Sequence, residues 1–249
     1  MNIISLYKIW RGNEFLIESI ESNYFHVDAM VFVSSDVSWN GETGNNTEQL
    51  VLEWKATNDH RDKIHIVHRH TTDQAEQYKA GLEYIRTLPQ CDWIQIVDSD
   101  EVWDETAWMN AITHLHCFGR RYNAFACTMQ TFIKSREFLI DESEACVRPT
   151  VFVKAGSPYV GCRFNGVLPC YKMQSVQIDH YSLVRDSWED VLKKITTSQR
   201  GDGQRTLVNM EDWKRRVWDK IPDGEHYHPY PECANIWKGF KRVEAQDGH

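Results

Sequence analysis

The stretch "CDWIQIVDSDEVWDE", residues 91–105, leads an apolar strand directly into a group of acids. Residues 93–97 have the composition of a buried strand, and three of the next four residues, Asp98, Asp100 and Glu101, are acidic. Neighbouring carboxylates repel one another unless a cation or water compensates their charge. Asp98 and Asp100 stand two apart, so in an extended segment both side chains point to the same side. The stretch therefore predicts either a cation site or a solvated loop at the end of a strand.

Upstream of this stretch, short apolar strands alternate with helical segments. We predict strands in residues 3–10, 28–36 and 63–70, and helices in residues 13–22, 47–58 and 71–88. Asn13 and either Thr71 or Thr72 are the expected helix caps. A β-α-β-α-β-α-β order favours an α/β fold with a mostly parallel central sheet and helices on both faces. Such sheets bind ligands at the carboxyl ends of their strands, where the acids stand.

The second half of the chain has a more mixed pattern. Strands are predicted in residues 122–134, 150–157 and 175–183, and helices in residues 107–119, 187–199 and 209–221. No linker or internal repeat interrupts the chain. We therefore expect a single domain over residues 1–249 with two unequal halves, residues 1–104 and residues 105–249. The second half has the mixed pattern and includes the C-terminal tail.

Composition excludes several classes of partner. The 249-residue chain has a net charge of −8, which disfavours binding to nucleic acid. No run of 18 apolar residues is present, so we expect no transmembrane segment. The seven cysteines form no C-x-x-C pair, which favours reduced thiols and a cytoplasmic location.

The acids after residue 97 have two interpretations. Carboxylate oxygens suit hard cations, so Asp98 and Asp100 are candidate ligands for Mn²⁺ or Mg²⁺. Acids also favour helix N-termini and solvated loops, and this second interpretation suits Glu101 and Asp104.

At this point the sequence resembles the GT-A fold glycosyltransferases, particularly family 2-like enzymes. The similarity is carried by "DWIQIVDSDEVW", which resembles the Asp-x-Asp region of these enzymes, and by "YKIWRGNEFLIESI", "DAMVFVSSD" and "DQAEQYKAGLEYI" upstream. "VRPTVFVK" and "IDHYSLVRDSWEDVLKK" resemble a later strand and a His-Tyr segment. Two regions depart from the family pattern. "SSDVSWNG" replaces the usual Asp-x-x-Ser-x-Asp, and "CRFNGVLPC" lacks an acid that is often present there.

The resemblance implies a nucleotide-diphospho-sugar transferase that binds its donor, most often a UDP-sugar, through Mn²⁺ or Mg²⁺. Residues 1–104 would then be the nucleotide-binding half and residues 105–249 the smaller, acceptor-side half. Asp98, Asp100 and His180 would be the metal ligands. Arg163, Lys193 and Lys194 would bind phosphate. The remaining nucleotide contacts would come from Ile9, Trp10, Arg11, Asp36, Gln74, Gln77, Lys79, Asp98 and Ser99. Gln74, Gln77 and Lys79 are equally explained as an exposed polar helix face, and Asp36 as a turn cap.

The catalytic base is harder to place. Inverting transfer needs a carboxylate that takes the proton from the acceptor hydroxyl. The candidates are Asp141, Glu142 and Glu144, although a solvated loop also explains all three, and retaining chemistry stays open. The polar, glycine-bearing residues 200–205 are a candidate lid over the donor.

Three function classes are compatible with these residues. The first is a metal-dependent glycosyltransferase with an unknown acceptor. The second is a nucleotide-sugar-binding protein of the same fold without transfer activity. The third is a metal-dependent nucleotidyl or phosphoryl transferase, which also uses paired acids.

Overall fold

A computed structural model describes residues 1–10, 12–38, 41–44, 46–142, 149–157, 163, 169–197, 207–230 and 237–244. For Glu142 and Thr197 it describes the backbone alone. The chain forms two compact units. Unit 1 comprises Met1–Met129 and Arg148–Ile178, and unit 2 comprises Gln130–Val147 and Asp179–His249. Residue 104, where we placed the division between the halves, lies inside unit 1.

Unit 1 contains the predicted parallel sheet. Its parallel strands are β1 (Ile3–Ile9), β2 (Ala29–Ser34), β3 (Ile64–His68) and β4 (Trp93–Asp98), arranged in the order β3-β2-β1-β4. All seven residues of β1 and all six of β2 are buried, which explains their nearly continuous apolar sequences. β8 (Thr150–Lys154) lies antiparallel to β4 and makes the sheet mixed. The predicted α/β class is confirmed.

Four helices cover this sheet: α1 (Leu16–Tyr24), α2 (Thr47–Asn58), α3 (Gln74–Ile85) and α4 (Glu105–Phe118). Alternate residues of β1 enter two separate cores. Ile4 and Leu6 pack with Tyr78 of α3, whereas Tyr7 and Ile9 pack in the core that contains residues of α1, α2 and α4. Because successive side chains of a strand point to opposite faces, the helices lie on both faces of the sheet.

A buried polar network connects β1 and β4 to α1. Ser5 and Gln95 are register partners, and the Ser5 hydroxyl donates to Gln95 Oε1 at 2.5 Å. Gln95 Nε2 donates to Asn23 Oδ1 at 2.8 Å, and Asn23 Nδ2 donates to the Tyr7 hydroxyl at 3.0 Å. A buried polar group without a partner is costly, so this network favours one register of β1 against β4.

Two of the predicted helix caps are wrong. α1 begins at Leu16 because the Asn13 side chain instead bonds Asn46 and Thr47. α3 is capped by Asp73, which accepts from the Ala75 amide, while the Thr71 hydroxyl accepts from the Asp73 amide. The expected helix start at Asp104 is confirmed, since its carboxylate accepts from the Ala107 amide.

Two further strands lie wholly or partly in unit 1. β5 (Glu101–Val102) comes directly after the turn that follows β4. β6 (Ala124–Ile133) pairs with β8 in unit 1, and its last residues belong to unit 2.

Unit 2 continues with β7 (Ser135–Glu142), the last residues of β9 (Cys170–Leu183), α5 (Trp188–Thr197), α6 (Met210–Arg216), a 3-10 turn (Trp218–Lys220) and β10 (Trp237–Arg242). β7 lies antiparallel to both β6 and β10. The tryptophans Trp188, Trp213, Trp218 and Trp237 pack in one aromatic core. This core thus accounts for four of the ten tryptophans of the chain.

No helix among the described residues is both long enough and apolar enough to cross a lipid bilayer.

Candidate functional site

The site lies at the carboxyl ends of β1 and β4, which are adjacent parallel strands. Lys8 and Asp98 are register partners in this pair. The Lys8 side chain is nearly buried, and its Nζ lies 3.3 Å from Asp98 Oδ1. Parallel pairing in this register therefore places a cation beside the first acid of the Asp-x-Asp segment.

Arg163 supplies a second cation. Its Nη1 donates to Asp98 Oδ2 at 2.9 Å and also to Glu101 Oε1, while its Nη2 donates to Glu101 Oε2 at 3.1 Å. Its Nε contacts the Thr150 carbonyl of β8 at 3.3 Å, and the residue is only 5% exposed. A planar guanidinium suits such forked contacts with carboxylates, so Arg163 fixes both acids together.

Glu101 is fully buried, and our expectation that it lies in a solvated loop or at a helix start is wrong. Besides binding Arg163, its Oε2 accepts from the Asp98 amide at 3.2 Å. Burial raises the pKa of Glu101 to about 7, although the Arg163 guanidinium acts in the opposite direction. Glu101 is thus an internal partner of Arg163 and Asp98, which its position in the sequence did not indicate.

The rest of the Asp-x-Asp segment is closely packed. Ser99 and Asp100 are 8% and 4% exposed, whereas 35% of the Asp98 side chain is exposed. A Cβ atom at Gly12 would lie 2.0 Å from Ser99 Oγ and 3.0 Å from Ser99 Cβ. The turn after β1 therefore needs glycine in order to approach the turn after β4.

Lys8 was missed in the sequence as a member of the site. Its Nζ also lies 4.4 Å from the centre of the Tyr78 ring of α3, within the range of a cation–π contact. Burial lowers the pKa of Lys8, while the Asp98 carboxylate opposes this effect. A signal was present in the sequence, since Lys8 is the one charged residue among residues 3–10, an otherwise strand-like run.

The charges of the cluster are largely matched within unit 1. Burial alone would lower the pKa of Arg163, but Glu101 and Asp98 raise it well above its usual value. Arg163 and Lys8 therefore compensate Asp98 and Glu101, of which Asp98 is one of the two carboxylates that we expected a metal to join. This arrangement explains how acids can stand side by side at the end of a buried strand.

The oxygen atoms at the end of β4 are of a kind that suits a divalent metal. Asp98 and Asp100 supply carboxylate oxygens of the type that Mn²⁺ and Mg²⁺ bind. Each oxygen of Asp98 already contacts a protein cation, however, so a metal bound to either oxygen would stand close to a positive charge. Within the described ranges, no three or more His, Cys, Asp or Glu residues are grouped as a metal site.

The other predicted nucleotide contacts of unit 1 range from fully buried to exposed. Ile9 is fully buried, and Gln77 is 1% exposed, so the interpretation of Gln77 as part of an exposed helix face is wrong. Asp36 is exposed and accepts a 2.7 Å contact from His70, which lowers its pKa. Lys79 is exposed, with its Nζ 4.0 Å from Glu76. Trp10 and Gln74 are half-buried, and Arg11 lies outside the described residues.

The remaining predicted site residues belong to unit 2. His180 Nδ1 lies 3.4 Å from Thr131 Oγ1. Asp141 Oδ1 accepts from Lys241 Nζ at 2.9 Å, across the pair formed by β7 and β10. Lys193 and Lys194 lie on α5. Glu142 ends β7, whereas Glu144 and the candidate lid at residues 200–205 lie outside the described residues. The functional roles of these residues stay predictions.

No protein-family model matches the chain, and no curated protein matches it. Among solved structures, S. aureus TarS aligns over 88% of this chain and 47% of its own, with 12% identity and a TM-score of 0.49. TarS 1–349 in complex with UDP-GlcNAc aligns over 53% and 35%, with 13% identity and a TM-score of 0.40. TarS 1–349 alone aligns over 62% and 47%, with 11% identity and a TM-score of 0.43.

The chain thus spans less than half the length of these solved structures. Their TM-scores all lie below 0.5.

Proposed function

We propose that this chain is a glycosyltransferase of the GT-A type, similar to family 2, that takes a sugar from a UDP-sugar donor. The observation that carries the proposal is the cluster of Lys8, Asp98, Glu101 and Arg163 at the carboxyl ends of adjacent parallel strands. Open α/β sheets bind ligands at this edge. Buried and paired charges at such an edge are typical of a functional site, although ion pairs of purely structural value also occur.

A divalent cation, Mn²⁺ or Mg²⁺, forms part of the proposal. Asp98 and Asp100 would hold it, and when bound it would neutralise the negative charge that develops on the departing diphosphate. His180 stays a predicted further ligand.

The chain's own residues would orient the donor. Lys8 and Arg163 place two positive charges beside Asp98, at the edge where a diphosphate would lie. Gly12 allows the turn after β1 to approach Ser99 closely, and these two turns would border the nucleotide. Glu101 fixes the Asp98 main chain and the Arg163 guanidinium, so that these groups are already oriented before a ligand arrives.

A second candidate function is binding of a nucleotide sugar without transfer. Asp141, one of the three candidate bases, accepts from Lys241 Nζ at 2.9 Å, so one of its oxygens is already engaged with a cation. Release of free UDP from a labelled UDP-sugar, in the presence of candidate acceptors, separates transfer from binding alone.

A thermal-shift panel tests the proposed function. The purified chain is heated with nucleoside diphosphates, nucleotide sugars or nucleoside triphosphates, each with Mn²⁺ or with EDTA. We expect UDP and UDP-sugars with Mn²⁺ to raise the melting temperature, and EDTA to remove most of that rise. Stabilisation by triphosphates alone would instead support a nucleotidyl or phosphoryl transferase.

A further inference from the structure

The two cations of the cluster contact its acids in different ways. Arg163 donates to both Asp98 and Glu101 and also contacts the Thr150 carbonyl, so it is fixed by three residues. Lys8 has a 3.3 Å ion pair to Asp98 and stands over the Tyr78 ring. Glu101 is fully buried, whereas Asp98 is the most exposed of the three acids. Of these contacts, the ion pair between Lys8 and Asp98 is the one that a ligand can most readily replace.

We propose that Lys8 is a phosphate-binding residue that pairs with the metal ligand Asp98 until a donor binds. Without a donor, its ammonium neutralises Asp98. When a nucleoside diphosphate binds, the ammonium moves to a phosphate oxygen and leaves Asp98 to the divalent cation. The inference rests on the proposed function, and it assigns Lys8 a role that the Asp-x-Asp pattern does not contain.

Electrostatics gives the reason for this exchange. An ammonium and a divalent cation that share one carboxylate repel each other strongly in a poorly solvated site. Metal alone should therefore bind weakly, because it must compete with Lys8 for Asp98. A diphosphate supplies negative charge to both cations at once, so metal and nucleotide should bind better together than either does alone.

The geometry of Lys8 suits such a movement. A lysine ammonium is a compact charge on a flexible stem, so it can change partners without rebuilding a fork of hydrogen bonds. The Tyr78 ring at 4.4 Å attracts the ammonium from one side in either state. Because Lys8 and Asp98 are register partners near the ends of their strands, a short displacement brings Nζ towards a ligand at the sheet edge.

The test compares metal binding and nucleotide binding in the wild type and in Lys8→Met, a variant of similar length without charge. Mn²⁺ is first titrated alone by calorimetry, and UDP is then titrated in excess Mn²⁺. We expect Lys8→Met to bind Mn²⁺ alone about tenfold more tightly and UDP about tenfold more weakly, as loss of one nearby charge implies. A merely structural lysine would not move the two affinities in opposite directions.

Lys172→Met is the matched control, because Lys172 is an exposed lysine of β9 in the same unit. We expect it to change neither affinity. Lys8→Arg keeps the charge and should keep Mn²⁺ binding weak. Melting curves verify folding, and Lys8→Gln provides the same comparison if Lys8→Met does not melt cooperatively.

Two results overturn the inference alone: Mn²⁺ binding that is unchanged or weaker in the uncharged variant, or UDP binding that is unchanged. In either case the wild type would still bind UDP and the proposed function would stand. If the wild type binds no UDP with Mn²⁺, the proposed function fails, and the role of Lys8 fails with it.

Discussion

At the residue scale, Arg163 decides whether the acids of the site can coexist. Glu101 is fully buried, and Arg163 binds both of its oxygens. The acids at the end of β4 were predictable, because they follow an apolar run directly. Arg163 was predicted as a phosphate-binding residue but not as the partner of these acids, since it lies 65 residues after Asp98 and no local pattern pairs it with them.

Replacement of Arg163 with Met should destabilise the fold strongly. The variant would leave the Glu101 carboxylate buried without its partner, at a cost of about 3–5 kcal/mol in the free energy of unfolding. Urea denaturation measures this loss. Arg86→Met, at an exposed position after α3, is the control and should cost less than about 0.5 kcal/mol.

The double variant Glu101→Met with Arg163→Met separates the cost of an unpaired buried charge from the other effects of losing Arg163. Because neither charge then remains buried alone, we expect it to be more stable than Arg163→Met by itself. A double variant that is less stable than both single variants would show that the ion pair is not the reason for the loss.

At the element scale, β1, β2 and β4 were predictable because strands buried on both faces have nearly continuous apolar sequences. β7 and β10 were missed for the opposite reason. "WKGFKR" of β10 is short, polar and interrupted by Gly239, and it is ordered as a strand by pairing with β7 about 100 residues earlier. Long-range pairing of this kind leaves little trace in local sequence.

Gly12→Ala tests the contact between the turns after β1 and β4. The added Cβ would lie 2.0 Å from Ser99 Oγ, so we expect a loss of about 1–3 kcal/mol in stability and weaker nucleotide binding. Calorimetric titration and urea denaturation measure the two effects. Gly239→Ala, where an added Cβ meets no atom within 4 Å, is the control.

A Ser99→Gly change in the same chain should recover part of the loss, because it removes both atoms that the new Cβ meets. If Gly12→Ala is as damaging in the Ser99→Gly background as it is in the wild type, steric contact with Ser99 is not the cause.

Asp59, in the connection between α2 and β3, should stabilise the fold less as the pH falls. Burial alone would raise the pKa of Asp59, but bonds from the Tyr24 hydroxyl and from the Lys63 and Ile64 amides outweigh it and hold the pKa below its usual value. A carboxyl whose pKa is depressed by folding stabilises the fold above its unfolded pKa, and this contribution is lost as the pH falls through the folded pKa.

Asp59→Asn should therefore be less stable than the wild type at about pH 7. The difference should shrink at about pH 3, because the unfolded chain, with its ordinary aspartate pKa, binds a proton there before the folded protein does. Urea denaturation at both pH values measures the difference. Asp62→Asn, which changes an exposed carboxylate nearby, is the control. A stability difference that stays constant with pH would contradict the role assigned to Asp59.

At the scale of the whole molecule, the chain passes between its two units more than once. β6 and β9 each begin in unit 1 and end in unit 2, so each unit is assembled from separate stretches of the chain. Hydrophobic periodicity is a local pattern, so it does not predict which separate stretches of the chain assemble into one unit. The cluster of Lys8, Asp98, Glu101 and Arg163 lies entirely in unit 1, together with its parallel sheet.

The central claim is that the acids after β4 form the binding site of a nucleotide sugar. Calorimetric titration of a UDP-sugar in the presence of Mn²⁺, with the wild type, Asp100→Ala and Glu83→Ala, tests it most directly. Glu83 is an exposed acid of α3 and is the control for loss of one negative charge. We predict that the wild type and Glu83→Ala bind the UDP-sugar, that EDTA weakens this binding, and that Asp100→Ala loses it while still melting cooperatively. Equal affinity for the UDP-sugar in a folded Asp100→Ala variant and in the wild type would contradict the claim.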